Sequence, residues 1–248
     1  MTYSRLLAVL AAWTLGSAHA GEVTVAVAAN FAAPMQAIAA ILEKTTGHKA
    51  DIVTGATGRF YAQIKNGAPF DVFLAADNET PGKMEAEGLA VPGSRFTYAK
   101  GKLVLWSANP ALIDAQGQVL KTGDFRKIAI AQPKVAPYGA AAMETITQLG
   151  LAGRLGPRLV LGESIGQTFS FISTGNAELG FVAMSQVFEG GKLKSGSMWA
   201  VPATLYRPIV QDAIILTRGK DNPAATALVA LLKSERVKDL IRSYGYAL

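Results

Sequence analysis

The chain has 248 residues, a formal net charge of +6 and no cysteine. Half of the residues are hydrophobic and 17% are charged, which excludes a disordered or fibrous chain and leaves enough core for one large domain or two small ones. The lack of cysteine excludes disulfides, zinc–thiolate centres, iron–sulfur clusters and cysteine nucleophiles.

The first twenty residues have the pattern of a secretory signal peptide. Arg5 precedes the apolar run 6–15, and Ala18-His19-Ala20 provides the small residues of a cleavage site after Ala20. The apolar run is far shorter than the ~20 residues that span a membrane. The sequence therefore predicts an exported protein, periplasmic in a bacterium, whose mature chain keeps His48 as its only histidine.

Strand and helix patterns alternate along the mature chain. In a first series, the expected strands are 23–28, 51–54 and 72–75, and the expected helices are 33–46, 57–65 and 81–87. In a second series, the expected strands are 103–106, 127–131, 159–161 and 179–183, and the expected helices are 140–149 and 165–173. A long strand at 209–217 and one or two helices within 223–243 follow.

Strands separated by helices form βαβ units, which build mostly parallel sheets with helices on both faces. Two such series predict an α/β chain with two lobes. The last strand and helices could complete the first lobe, in which case the chain would cross between the lobes twice.

Four junctions between a strand and a helix are built around Gly, Asn, Thr and Ser. They are 29–31, 55–58, 134–139 and 162–166. Taken singly, each is explained by a tight turn, a helix cap or the packing of an aromatic ring. Taken together, they leave free N–H groups at several helix N-termini, where anions bind, and at the carboxyl ends of strands, where ligands of open α/β sheets bind. Neutral donors of this kind suit a fully ionised anion.

The junction 162–166 also spells G-x-S-x-G, the nucleophile-elbow pattern of α/β-hydrolases, with Ser164 as the candidate nucleophile of a secreted serine hydrolase. That mechanism needs an acid and a histidine after the serine, and no histidine follows His48. The serine hydrolase is therefore a disfavoured alternative. No His or carboxylate cluster has metal-ligand spacing, and no basic stripe interleaved with aromatic residues indicates nucleic-acid binding.

The mature chain resembles the periplasmic molybdate-binding proteins of ABC transporters over essentially its whole length. The stretches that carry the resemblance are 24–31, 61–77, 136–139 and 179–183. The resemblance implies a two-lobe type II periplasmic binding fold with the ligand in the cleft between the lobes. The first lobe would comprise 21–100 and 207–248, the second 101–206, and the hinge would lie near 98–103 and 203–209.

The resemblance also implies the ligand residues. Asn30 and Thr57 would bind the oxyanion from the first lobe, and Tyr138 and Ile165 would bind it from the second through backbone N–H groups. Ala29 stands where some relatives carry a hydroxyl donor, so only its backbone could contribute. Ala183 stands where other relatives carry a tyrosine that binds the ligand, so that donor is missing here. The same relatives carry a serine at the position of Asn30. The amide N–H₂ of Asn30 is expected to compensate for the missing tyrosine donor.

The function implied is capture of molybdate and tungstate, and delivery to an ABC permease in the inner membrane. The protein would be a monomer without catalytic residues, cofactor, cation site or nucleic-acid partner. Another tetrahedral oxyanion, such as sulfate or chromate, is the main alternative ligand.

Overall fold

The computed structural model describes residues 20–123 and 125–248, so the expected signal peptide lies outside the described residues except for Ala20. The strands are β1 (Glu22–Ala28), β2 (Lys49–Gly55), β3 (Val72–Leu74), β4 (Phe96–Gly101), β5 (Leu103–Ser107), β6 (Ile128–Ala131), β7 (Leu159–Gly162), β8 (Leu179–Ala183), β9 (Phe188–Glu189), β10 (Lys192–Leu193), β11 (Ser197–Ala200) and β12 (Ile209–Ile215). The helices are α1 (Ala32–Thr46), α2 (Thr57–Lys65), α3 (Glu79–Ala86), α4 (Val119–Thr122), α5 (Pro137–Gln148), α6 (Ala152–Leu155), α7 (Ile165–Ser173), α8 (Met184–Val187), α9 (Pro223–Leu232) and α10 (Glu235–Ser243). Short 3₁₀ turns occupy Ala29–Phe31, Gly156–Arg158, Ala203–Leu205 and Thr217–Gly219.

Two five-stranded sheets organise these elements. The first has the order β2-β1-β3-β12-β4, and the second has the order β11-β5-β8-β6-β7. In the first sheet only β12 runs against its neighbours, and in the second only β5 does. The expectation of two mostly parallel sheets is therefore confirmed. We call each sheet with its helices the first lobe and the second lobe.

The chain passes between the two sheets at two places. The strand β4 ends at Gly101 in the first sheet and β5 begins at Leu103 in the second, so Lys102 alone joins them. The return passes through residues 201–208, between β11 and β12. Because β12 inserts between β3 and β4, the end of the chain completes the first lobe.

Each sheet is covered by helices on both faces, as the alternation of side chains along a strand requires. Val25 and Val27 of β1 pack with residues of α1, α9 and α10, whereas Ala26 between them packs with residues of α2 and α3. In the second sheet, Leu105 packs with α5 and its neighbour Trp106 packs with α7. This double cover explains why the central strands are apolar throughout.

The arrangement positions four helix starts between the lobes. Strands β1 and β2 of the first lobe lead at their carboxyl ends into the turn 29–31 and into α2. Strands β6 and β7 of the second lobe lead into α5 and α7. These are the four junctions that the sequence indicated.

Candidate anion-binding site

A small cavity of about 10 Å³ lies where the four helix starts meet. All five residues expected to bind the ligand line it: Ala29, Asn30, Thr57, Tyr138 and Ile165. Its remaining lining is small and apolar and consists of Ala28, Gly55, Ala56, Ala76, Ala136 and Pro137. Every lining side chain is therefore uncharged, and the space suits a compact inorganic ligand rather than a sugar or an amino acid.

Thr57 presents a hydroxyl donor to this cavity. The residue is 1% exposed and begins α2. Its Oγ1 accepts a hydrogen bond of 2.9 Å from the backbone N–H of Ala76. This bond fixes the oxygen but leaves the hydroxyl hydrogen available. A ligand in the cavity can therefore receive one side-chain donor from Thr57.

The second lobe contributes backbone donors. The helix α5 begins with Pro137, which has no N–H, so the N–H of Tyr138 is the first available donor of that helix. Ile165 is the first residue of α7, where N–H groups also lack carbonyl partners within the helix. Both N-termini add the positive end of a helix dipole, which favours an anion without placing a charge in the site.

Asn30 lies in the cavity wall with an arrangement that the sequence did not indicate. It is 2% exposed, and its Nδ2 lies 2.8 Å from Gln211 Oε1 and 2.9 Å from the hydroxyl of Tyr246. Its Oδ1 is the only buried side-chain polar atom without a hydrogen-bond partner within 20–123 and 125–248. The amide nitrogen expected to face the ligand thus has two protein partners, and the oxygen has none.

Ala183 does not line the cavity. It is fully buried, and its N–H donates a hydrogen bond of 3.0 Å to Gln186 Oε1. The other end of the same amide, Gln186 Nε2, donates to the carbonyl of Ile165 at 3.0 Å. Gln186 therefore joins the end of β8 to the start of α7, and the backbone donor of Ala183 is already satisfied.

The two lobes touch across the cleft. The N–H of Gly58 donates a hydrogen bond of 2.9 Å to the carbonyl of Val135 in the second lobe. A Cβ at Gly58 would lie 3.0 Å from the Cα of Val135, so the backbones approach closely. Arg59 and Glu163 form an exposed ion pair of 2.8 Å beside this contact.

A second cavity of about 240 Å³ adjoins the first and shares Ala76 and Pro137 with it. Its lining is strongly charged, with three carboxylates and two basic groups: Asp77, Glu79, Glu144, Lys134 and Arg207. Burial raises the pKa of the Asp77 carboxyl. The excess of carboxylates makes this larger cavity unsuited to a dianion.

Ser164 serves as a helix cap rather than as part of a catalytic group. Its Oγ accepts a hydrogen bond of 3.3 Å from the N–H of Gln167. His48 lies elsewhere, where its Nδ1 accepts from the N–H of Gly21 just before β1, at the opposite end of that strand from Ala28 and the cavity. In the described part of the chain, no imidazole accompanies Ser164.

Residues 23–247 match the model of the bacterial extracellular solute-binding protein family. The chain belongs to this family. It is 59% identical over 246 residues to the molybdate-binding protein ModA of Azotobacter vinelandii, an alignment that covers 99% of this chain and 98% of that protein. It is 54% identical over 229 residues to ModA of Rhodobacter capsulatus, with 92% and 89% covered.

The fold has an equally clear relative of known structure. The Azotobacter vinelandii periplasmic molybdate-binding protein matches with a TM-score of 0.88 at 43% identity, over 91% of this chain and 99% of that one. The resemblance to the molybdate-binding proteins and the two-lobe binding-protein fold are thus confirmed.

Two further observations concern residues 20–123 and 125–248 only. None of their helices combines the length and the apolar character that crossing a membrane requires. Their His, Asp and Glu side chains form no group of three or more that could hold a metal ion.

Proposed function

We propose that this chain is a periplasmic solute-binding protein that captures molybdate, and also tungstate, and delivers it to an ABC permease in the inner membrane. The observation that carries the proposal is the meeting of four helix N-termini at one small uncharged cavity. The close similarity to two ModA proteins supports molybdate as the ligand.

The chemistry of the proposed site is hydrogen-bond donation to a dianion. Thr57 supplies a hydroxyl, and Tyr138, Ile165 and Ala29 supply backbone N–H groups, while Asn30 contributes through its amide. Hydrogen bonds to a charged partner are stronger than those between neutral groups, so several such donors replace the hydration shell without a counter-charge. Donors alone favour an anion without a proton, because a proton on the ligand would lack an acceptor.

Closure of the lobes is the proposed mechanical event. We take the first lobe, 21–101 with 209–248, as one moving unit and the second lobe, 103–200, as the other, with Lys102 and 201–208 as the connections that bend. Since the donors come from both units, the site is complete only when the cleft is closed, and binding shifts the population toward the closed form. The closed monomer would be the form that the permease recognises, and the protein itself would perform no catalysis.

Small-angle scattering together with thermal melting tests this proposal. Saturating molybdate should reduce the radius of gyration and raise the melting temperature, because the ligand binds only the folded state; a concentration of 1,000 Kd corresponds to about 4.1 kcal/mol. Chloride at the same ionic strength is the control. Identical scattering and melting curves with and without molybdate would contradict the proposal.

A further inference from the structure

A buried hydrogen-bond network lies directly behind the anion cavity and joins the two lobes. Its centre is Gln211, which is fully buried on β12. The amide of Gln211 contacts Asn30 at 2.8 Å and Tyr98 at 3.0 Å in the first lobe, and Tyr138 at 3.1 Å in the second. Asn30 and Tyr138 both line the cavity, so Gln211 touches both halves of the site from behind.

When the Asn30 nitrogen faces Gln211, three polar groups in this network do not match their neighbours as hydrogen-bond donors and acceptors. Asn30 Oδ1 has no partner among the described residues. The single hydroxyl hydrogen of Tyr98 faces two acceptors, the carbonyl of Ala75 at 2.8 Å and Gln211 Oε1 at 3.0 Å. The hydroxyl of Tyr138 accepts from Gln211 Nε2 and meets no acceptor in the described part of the chain. Buried polar groups normally have partners, so this pattern needs an explanation.

Turning both amides by 180° gives each of these groups a partner. The nitrogen and oxygen of an amide have nearly the same shape, so the surrounding groups decide which occupies which position. Gln211 Nε2 then donates to Asn30 Oδ1 and to the hydroxyl of Tyr98, whose own hydrogen goes to the carbonyl of Ala75. Gln211 Oε1 accepts the hydrogen of Tyr138, and the Asn30 nitrogen takes the position that lacks a protein partner. The hydroxyl of Tyr246, which lies 2.9 Å from the same Asn30 position, then donates its hydrogen to Asn30 Oδ1, and the Asn30 backbone carbonyl keeps the bond from Ser185 at 2.7 Å.

The tyrosines keep their hydrogens in either arrangement. Burial raises the pKa of Tyr98, Tyr138 and Tyr246 well above the ordinary value of 10.0, so all three remain neutral donors at physiological pH. The Tyr138 hydroxyl therefore requires an acceptor, which the turned Gln211 provides.

We propose that Gln211 is a positioning residue of the oxyanion site, which holds Asn30 with its N–H₂ group toward the anion and holds Tyr138 across the boundary between the lobes. The inference rests on the proposed function, because the orientation of Asn30 matters for binding only if the ligand is an anion. The proposal explains why a glutamine is buried in β12 and why one end of the Asn30 amide has no hydrogen-bond partner among the described residues.

The same contact links the anion donors to lobe closure. Tyr138 provides a backbone donor to the cavity, while its side chain reaches Gln211 in the first lobe. Space for this contact depends on Gly101 at the end of β4, where a Cβ would overlap the Tyr138 hydroxyl and stand 2.6 Å from Gln211 Nε2. The bond between Tyr138 and Gln211 therefore joins the two lobes directly behind the cavity.

Nitrogen-15 NMR of the mature chain tests the amide orientation, and the titration itself uses the unaltered site. The side-chain N–H₂ signals of Asn30 and Gln211 are assigned by their loss in Asn30→Ala and Gln211→Met. Saturating molybdate should shift the Asn30 pair strongly and slow its exchange with water, and should move the Gln211 pair less. An Asn30 pair that molybdate leaves unchanged would overturn the proposal.

A double-mutant cycle tests whether Gln211 acts through Asn30. Gln211→Met keeps the length of the side chain but removes both polar ends, and should weaken molybdate binding about tenfold. In the Asn30→Ala background the same change should cost no more than about threefold, because coupled residues are not additive. Tyr98→Phe, which removes a hydroxyl from the same network but leaves the contacts to Asn30 and Tyr138, is the matched control.

The outcomes separate this inference from the proposed function. A parent chain that binds no molybdate contradicts both. A parent chain that binds molybdate, together with a folded Gln211→Met variant that binds equally well, contradicts only the role of Gln211. If Gln211→Met weakens molybdate binding by the same factor in the parent and in the Asn30→Ala background, the role of Gln211 is also overturned. A residue with a merely structural role would act independently of Asn30.

Discussion

The two cavities between the lobes differ in size and in charge, and the smaller one has the features that the proposed anion site requires. The larger holds about 240 Å³ and carries five charged residues, whereas the smaller holds about 10 Å³ and carries none. The smaller one, however, lies at four helix N-termini. For a small dianion, aligned N–H donors in a tight uncharged space are more useful than volume or side-chain charge, because they need no reorganisation and no buried counter-ion.

The largest loss of molybdate affinity is expected when the hydroxyl group in the small cavity is removed. Thr57→Val keeps the volume but deletes a donor to a charged ligand, which is worth roughly 1.5–3 kcal/mol and corresponds to a loss of roughly tenfold to a little over a hundredfold in molybdate affinity. Calorimetric titration measures the loss. Thr57→Ser keeps the hydroxyl and is the matched control, and a folded Thr57→Val variant within about twofold of the parent would remove Thr57 from the site.

A smaller effect is expected at the cap of α7. Ser164→Ala removes the bond to the N–H of Gln167, which should lower the free energy of unfolding by about 1 kcal/mol. Molybdate binding should change only mildly, because the proposed donor is the backbone of Ile165. Chemical denaturation of this variant measures the change in stability, and calorimetric titration measures its affinity for molybdate. Hydrolase activity that disappears with Ser164 would contradict the account.

The smallest effect is expected in the larger cavity. Lys134→Gln removes an exposed positive charge from its wall and should leave molybdate affinity within about twofold, because exposed charges are screened by salt. Ile165→Val, in the small cavity, should be equally neutral because it keeps the backbone N–H. A loss for Lys134→Gln comparable to that of Thr57→Val would show that the charged cavity takes part in binding.

The central strands and the helices that follow them could be predicted from the sequence because their apolar runs are buried on both faces. The strands β4 (Phe96–Gly101) and β11 (Ser197–Ala200) were not predicted. Both lie at sheet edges and mix polar and apolar residues. The other two edge strands, β2 and β7, pair with the strand that precedes each of them in the chain, whereas β4 and β11 pair with strands far along it. An edge strand is specified largely by the strand it pairs with, and for β4 and β11 that partner is distant in sequence.

Part of the candidate site could be located from the sequence. The four junctions could be found because Gly, Asn, Thr and Ser mark such turns, whereas the ligand residues within them are implied by the resemblance to the molybdate-binding proteins. The network behind them could not, because it joins residues of distant segments: Asn30, Tyr98, Tyr138, Gln211 and Tyr246. One signal was available, since the polar residue Gln211 interrupts the apolar strand 209–215 and a buried polar side chain requires partners.

Competition between molybdate and phosphate tests the central claim, that neutral donors without an acceptor hold the anion, most directly. Phosphate keeps a proton near neutral pH, and a buried polar group without a partner costs about 1–3 kcal/mol. Calorimetric titration with molybdate, tungstate, sulfate and phosphate in turn, followed by molybdate in the presence of excess phosphate, measures the preference. We predict that molybdate binds tightly and that a roughly hundredfold excess of phosphate does not displace it. Displacement of molybdate by phosphate at comparable concentration would contradict the account.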